Sequence, residues 1–141
     1  GLFIKHVREA GLDDAIEVDS AGTSGWHIGE LADPRMRETA TKYGIELVSR
    51  SRKLVEADYS TFDYIIVMDK QNIKDAEDLM SLEAPKAKIE LMREFDDIDV
   101  GQDVPDPYFG GKQGFEHVYT MLDRSSKSFL EFLKAEYQLT V

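Results

Sequence analysis

The sequence predicts an α/β protein, a three-layer α/β/α sandwich with a parallel sheet. Three observations lead to this prediction. Segments with helical and strand-like spacing alternate along the chain, as in folds where helices cover both faces of a sheet. The clearest strand candidate, residues 64–68, is a continuous apolar run of the kind buried in parallel sheets. A polar loop follows each strand candidate, which is where parallel sheets place ligand-binding residues.

The first predicted element is a helix over residues 2–10. Apolar residues recur there at helical spacing, namely Leu2, Phe3, Ile4, Val7 and Ala10. Gly11 follows as a typical helix stop. No Ser, Thr, Asp or Asn precedes the helix to cap its free N–H groups, so the sequence begins inside a helix. We therefore expect an upstream segment that these 141 residues lack.

The next elements are a short strand, residues 15–18, and a polar loop, residues 19–26. Asp33 and Pro34 then form an N-cap and a proline in the first turn, which predicts a helix ending at Gly44. The segment from residue 45 to 55 carries the basic cluster Arg50, Arg52 and Lys53. Two interpretations of this cluster remain: a solvated edge segment, which we favour, and an anion site.

The second half of the chain continues the alternation. Asp69 follows the strand at 64–68 and is predicted to cap a helix reaching Met80. Residues 88–92 form a further strand, and an acidic loop, residues 94–103, comes after it. A final helix is predicted from about residue 115 to 137, and its core-facing residues are Phe115, Val118, Leu122, Phe129 and Leu133.

The stretch VPDPYFGG, residues 104–111, carries the strongest chemical signal. Pro105 and Pro107 hold Asp106 in an extended conformation, so its carboxyl group loses little entropy when it meets a proton acceptor. General acid catalysis requires a carboxyl group held in this way, although the spacing alone favours a structural turn. Tyr108 and Phe109 can form a stacking wall for a flat aromatic ligand. The alternative is a structural turn in which the two aromatic residues belong to the core.

Trp26 is the only tryptophan and lies in the first polar loop, at the same predicted edge of the sheet. It can supply the opposite wall of an aromatic slot. It can equally be an anchor packed on its own loop, and the sequence favours neither interpretation.

Composition and charge exclude several functional classes. The 141 residues carry a net charge of -11, which argues against nucleic acid or an anionic membrane surface as a partner. We predict one domain, residues 1–141, in the cytoplasm. The chain contains no cysteine, and its three histidines lack the HExxH spacing of zinc enzymes. We therefore expect no metal and no cofactor.

Five motifs resemble the low-molecular-weight protein-tyrosine phosphatases. In chain order they are VDSAGTSGW, DPR at a helix start, STFDYIIVMDKQN, AKIELM, and VPDPYFGG followed by FEHVY. The resemblance implies a sheet of four parallel strands and hydrolysis of phosphotyrosine through a phosphocysteine intermediate. It also implies that Asp106 is the general acid, that Tyr108 and Phe109 border the aryl slot, and that Ser20 supports the phosphate loop. An ordinary strand-end turn is the alternative for Ser20.

The chain departs from the family pattern in two places. Relatives begin with a strand and a phosphate loop of the type Cys-x5-Arg-Ser, which the resemblance places upstream of residue 1. Ser49 replaces a histidine that relatives often carry in the basic segment. We therefore predict that residues 1–141 alone are inactive. The expected substrate is a phosphotyrosine protein or a small aryl phosphate, and the expected state is a monomer or weak dimer.

Two other functions remain possible on the same fold. An arsenate reductase-like enzyme would use further cysteines downstream, and the chain has none. A non-catalytic binding or regulatory module would keep the cleft without a nucleophile, but such a module needs no general acid.

Overall fold

The computed structural model describes residues 2–22, 29–31, 33–47, 52–80, 86–98, 100–105 and 111–139. In chain order its elements are α1 (Leu2–Glu9), α2 (Pro34–Lys42), α3 (Asp58–Thr61), β1 (Tyr64–Val67), α4 (Lys70–Leu79), β2 (Lys88–Leu91), a 3₁₀ helix (Met92–Phe95) and α5 (Gly111–Glu136). At 26 residues α5 is the longest helix. None of the helices among the described residues combines the length and apolarity needed to cross a membrane.

The helix starts predicted at Asp33 and Asp69 are confirmed. The Asp33 carboxylate accepts a hydrogen bond from the N–H of Arg35 at 2.8 Å, and Pro34 occupies the first turn. Asp69 accepts from the N–H of Asn72 at 2.7 Å and so caps α4. Each carboxylate satisfies an N–H group that the helix itself leaves without a partner.

Strands β1 and β2 are parallel, and their register pairs Tyr64 with Lys88 and Val67 with Leu91. The strand predicted over residues 15–18 is not formed in the structure. The amides of Ala15 and Ile16 donate instead to the carbonyl of Leu12, in the turn that follows α1. A strand exists only through its ladder of hydrogen bonds, and these residues pair with no neighbouring strand among the described residues.

The core lies between the sheet and the helices. Helix α5 packs on α1 through Phe129, whose ring lies 5.1 Å from that of Phe3, and on β1 through Tyr64 at 5.7 Å. Helix α4 contacts both strands, and its Ala76 is completely buried. The Tyr59 hydroxyl of α3 donates a hydrogen bond to the Ala76 carbonyl. The molecule is an α/β sandwich built on a parallel sheet, as predicted.

Candidate active site

The carboxyl end of β1 holds the start of the VPDPYFGG stretch. The amide of Val104 donates to the carbonyl of Met68 at 2.7 Å, one residue beyond the strand. The carboxylate of Asp103 accepts from the N–H of Lys70 at 3.0 Å, at the first turn of α4. Residues 103–104 therefore lie at the carboxyl end of β1. This is the ligand edge of the sheet, the edge at which parallel sheets bind ligands and at which the sequence predicted this stretch.

Ser20 lies in the segment that follows α1. Its side chain is exposed, and its amide donates to the Asp19 carboxylate at 2.7 Å. Two residues further on, Gly22 pairs with the basic segment: its amide donates to the Arg52 carbonyl and its carbonyl accepts from Leu54, both at 2.8 Å. Ser20 therefore lies two residues before a short backbone pairing between Gly22 and the basic segment.

Arg52 is the described arginine of the basic cluster, and it is engaged in ion pairs. Its guanidinium donates to both carboxylate oxygens of Asp58, at 3.0 and 2.9 Å, and to Asp19 at 3.2 Å. The hydrogen bonds with Asp58 raise the pKa of Arg52 and lower the pKa of Asp58. Arg52 therefore pairs with carboxylates of the protein itself, and Arg50 lies outside the described residues, so the choice between a solvated edge segment and an anion site stays a prediction.

A buried ionic cluster lies behind the acidic loop. Asp96 is completely buried, and its carboxylate accepts from Arg124 on α5 at 2.6 and 2.8 Å and from Arg93 at 3.0 Å. The Arg124 guanidinium and the other donors hold the pKa of Asp96 well below its usual range, against the opposing effect of burial. The cluster joins the 3₁₀ helix, the acidic loop and α5.

A cavity of about 870 Å³ separates the segment after α1 from β1. Residues 15–22 line one side of the cavity and residues 61–68 line the other, and Phe129 and Leu133 of α5 also border it. Ser20 and Arg52 lie at its border. The cavity therefore runs along β1 towards the same edge at which Asp103 and Val104 are held.

The structure describes one of the five residues proposed for the site. Ser20 lies beside the cavity, whereas Asp106, Trp26, Tyr108 and Phe109 lie outside the described residues. The buried cluster of Arg93, Asp96 and Arg124 was missed from the sequence. Charged residues are usually exposed, and no spacing rule distinguishes these three from their solvated neighbours. Within the described ranges no three His, Asp or Glu side chains gather into a possible metal site.

Comparison with known proteins gives the family. A family model described as low molecular weight phosphotyrosine protein phosphatase matches residues 1–139, nearly the whole chain. The chain belongs to this family. A low molecular weight protein-tyrosine-phosphatase of Streptomyces coelicolor is 34% identical over 139 residues, which are 97% of this chain and 85% of the relative. The human low molecular weight phosphotyrosine protein phosphatase is 35% identical over 92% of this chain and 82% of its own.

Solved structures of phosphatases share the fold. A protein tyrosine phosphatase from Entamoeba histolytica superposes with a TM-score of 0.87 at 35% identity, covering 98% of this chain and 87% of its own. A protein named as an arginine phosphatase of Drosophila superposes with a TM-score of 0.86 at 28% identity, over 94% and 86% of the two chains. The α/β sandwich of the phosphatase family is therefore the fold of this chain, and hydrolysis of phosphotyrosine is the activity that its relatives are named for.

Proposed function

We propose that the protein hydrolyses phosphotyrosine and related aryl phosphates through a phosphocysteine intermediate, with Asp106 as general acid and base. The observation that carries the proposal is the family match over residues 1–139. The anchoring of Asp103 and Val104 at the carboxyl end of β1 supports it, because these residues precede Asp106 in the chain by three and two positions.

The nucleophile of this reaction is a cysteine upstream of residue 1. None of the 141 residues is a cysteine, and the 870 Å³ cavity beside β1 supports a further strand that leads to the nucleophile. In a parallel sheet, alternate backbone groups of a strand face each side, and β1 is paired with β2 alone among the described residues. A strand in the cavity would bond to the other edge of β1.

The chemistry consists of two displacements at phosphorus. The thiolate forms a P–S bond as the P–O bond to the aryl group breaks, and the Asp106 carboxyl group gives its proton to the departing phenolate oxygen. Water then attacks phosphorus, Asp106 takes a proton from it, and the P–S bond breaks to return the thiolate and release inorganic phosphate. Backbone N–H groups and an arginine of the phosphate loop stabilise the equatorial oxygens. These steps use no metal or cofactor.

Four further residues have assigned roles. Trp26, Tyr108 and Phe109 border the aryl ring of the substrate, since flat aromatic side chains stack well on a phenyl group. Ser20 supports the phosphate loop from the neighbouring segment, and its exposed position at the cavity border is consistent with that role. The protein acts as one domain in the cytoplasm, as a monomer or weak dimer.

The experiment uses the complete product of the gene. We expect it to hydrolyse 4-nitrophenyl phosphate and a phosphotyrosine peptide equally well with and without EDTA, and to yield a phosphocysteine upstream of residue 1 when the reaction is stopped by rapid denaturation. For the phosphotyrosine peptide, Asp106→Asn should lower kcat/KM by about 100-fold or more, the usual contribution of a general acid. Asp14→Asn is the control, because Asp14 is an exposed carboxylate in the turn after α1.

Other outcomes would replace the proposal. Turnover of phosphoarginine in preference to aryl phosphates would assign the substrate class named for the Drosophila neighbour. Reduction of arsenate would favour the reductase. Binding of phosphotyrosine without turnover, together with a gene that encodes no upstream cysteine, would favour the binding module.

A further inference from the structure

Arg93 ties together three parts of the acidic loop that precedes Asp106. Its Nε donates to Asp96 at 3.0 Å, its Nη1 donates to the main-chain carbonyl of Asp103 at 2.9 Å, and its own carbonyl accepts from the amide of Gly101 at 2.8 Å. Arg93 is buried, so these bonds form away from competing water. The loop is therefore fixed to the 3₁₀ helix at its beginning and at its end.

Asp103 is held a second time, from the other direction. Its side-chain carboxylate accepts from the N–H of Lys70, where the positive end of the α4 dipole also favours a negative charge. The next residue, Val104, is buried and donates to Met68 at the end of β1. The main chain of Asp103 is thus hydrogen-bonded to the 3₁₀ helix and its side chain to α4, although the side chain is exposed.

We propose that Asp103 and Arg93 are positioning residues for Asp106, which makes the inference dependent on the proposed function. A general acid works only within hydrogen-bond reach of the leaving oxygen, and a displacement of about 1 Å can cost on the order of 100-fold in rate. Pro105 and Pro107 restrict the backbone on either side of Asp106. We therefore expect a displacement of Asp103 to displace Asp106 as well.

A purely structural role would have a different signature. One exposed side-chain hydrogen bond contributes little to folding stability, so loss of the Asp103 carboxylate should leave the fold intact. Misplacement of the acid, in contrast, affects substrates unequally. A poor leaving group such as phenolate needs the proton from Asp106, whereas 4-nitrophenolate departs more readily without it. The dependence of kcat/KM on the leaving group therefore separates positioning from stability.

The test measures kcat/KM of the complete gene product for phenyl phosphate and 4-nitrophenyl phosphate. Asp103→Ala should lose about tenfold for phenyl phosphate and distinctly less for 4-nitrophenyl phosphate. Asp103→Asn should restore much of the loss, because its amide oxygen can still accept from Lys70. In the background of Asp106→Asn, Asp103→Ala should cause no further loss, since two residues that act through one group are not additive.

Arg93→Lys provides the second variant. Lysine keeps the positive charge beside Asp96 but cannot reproduce both donor positions of the guanidinium, so the same leaving-group signature is expected. Thermal unfolding of each variant checks that the fold is retained, and Asp14→Ala is the charge-matched control. Equal losses for the two substrates, or a full additional loss in the Asp106→Asn background, would overturn the inference while leaving the proposed function standing. A wild-type protein that hydrolyses neither substrate would overturn both.

Discussion

The Asp96 carboxylate has no exposed surface and lies against two guanidinium groups, those of Arg93 and Arg124. Removing the Asp96 carboxylate leaves the positive charge of the buried Arg93 without its ion-pair partner. Asp96→Ala should therefore destabilise the protein by roughly 3 kcal/mol, near the lower bound for broken buried ion pairs because Arg124 is partly exposed. Chemical denaturation measures this change. Asp97→Ala is the matched control: its side chain is 74% exposed, and its effect should stay within about 0.5 kcal/mol.

The stabilisation by Asp96 should also depend on pH. Its pKa in the folded protein lies below the value of ~3.9 expected in the unfolded chain. The contribution is therefore complete above the unfolded pKa and is lost as the pH falls from about 4 towards the folded pKa. Stability of the wild type should fall more steeply with acid than that of Asp96→Asn over this window. Parallel pH curves for the two proteins would contradict the assignment.

The two predicted helix stops at Gly11 and Gly44 have the same physical basis. Both glycines have positive φ, 70° and 78°, and each ends its helix with a Schellman pattern. The amide of Leu12 donates to Val7, and the amide of Ile45 donates to Ala40, so the carbonyl groups at the helix end are satisfied. A helix end of this kind depends only on the glycine and the few residues before it, so the sequence alone predicted both positions.

Substitution of Gly44 tests this helix end. A Cβ atom added there meets nothing within 4 Å, so only the left-handed backbone opposes a side chain. Gly44→Ala should cost roughly 1–2 kcal/mol in the free energy of unfolding, and Gly44→Asn should cost less, since Asn adopts this conformation more readily. Thermal unfolding compares the two. An Ala variant as stable as the wild type would show that the helix end rearranges.

Elements that depend on distant partners were harder to predict. The strand at residues 64–68 was predicted because it is a continuous apolar run, a further strand was predicted at residues 88–92, and β1 and β2 form there. The segment over residues 15–18 has a similar local pattern, yet it forms no strand, because no described neighbour completes its ladder. The short helix α3 was also missed, since four residues carry too little periodicity to be recognised.

The arrangement of the whole molecule explains which part of the site the sequence could predict. Proline, aspartate and glycine predict a loop around Asp106, which lies outside the described residues, and the structure places the residues just before it, 103–104, at the carboxyl end of β1. The anchoring of Asp103 depends on contacts with Arg93, ten residues before it, and with Lys70, 33 residues before it. No periodic pattern encodes such contacts, so they are visible only in the folded structure.

The cavity beside β1 leads to the last prediction. Residues 1–141 alone should give no turnover of 4-nitrophenyl phosphate, because Asp106 can donate a proton but the chain holds no thiol to attack phosphorus. If the proposed upstream strand fills the cavity of about 870 Å³, the complete gene product should also be more stable than residues 1–141, because that strand would bond to the backbone and cover the apolar residues that line the cavity.

Side-by-side assays and thermal unfolding of the two proteins measure both effects. Cysteine→Ser at the proposed upstream nucleophile of the complete product is the control: it should abolish turnover and leave thermal stability close to that of the complete product. Turnover by residues 1–141 would contradict the proposed mechanism, in which a cysteine attacks phosphorus and Asp106 donates the proton, because these residues contain no cysteine. Equal thermal stability of the two proteins would instead show that the cavity does not take up an additional strand.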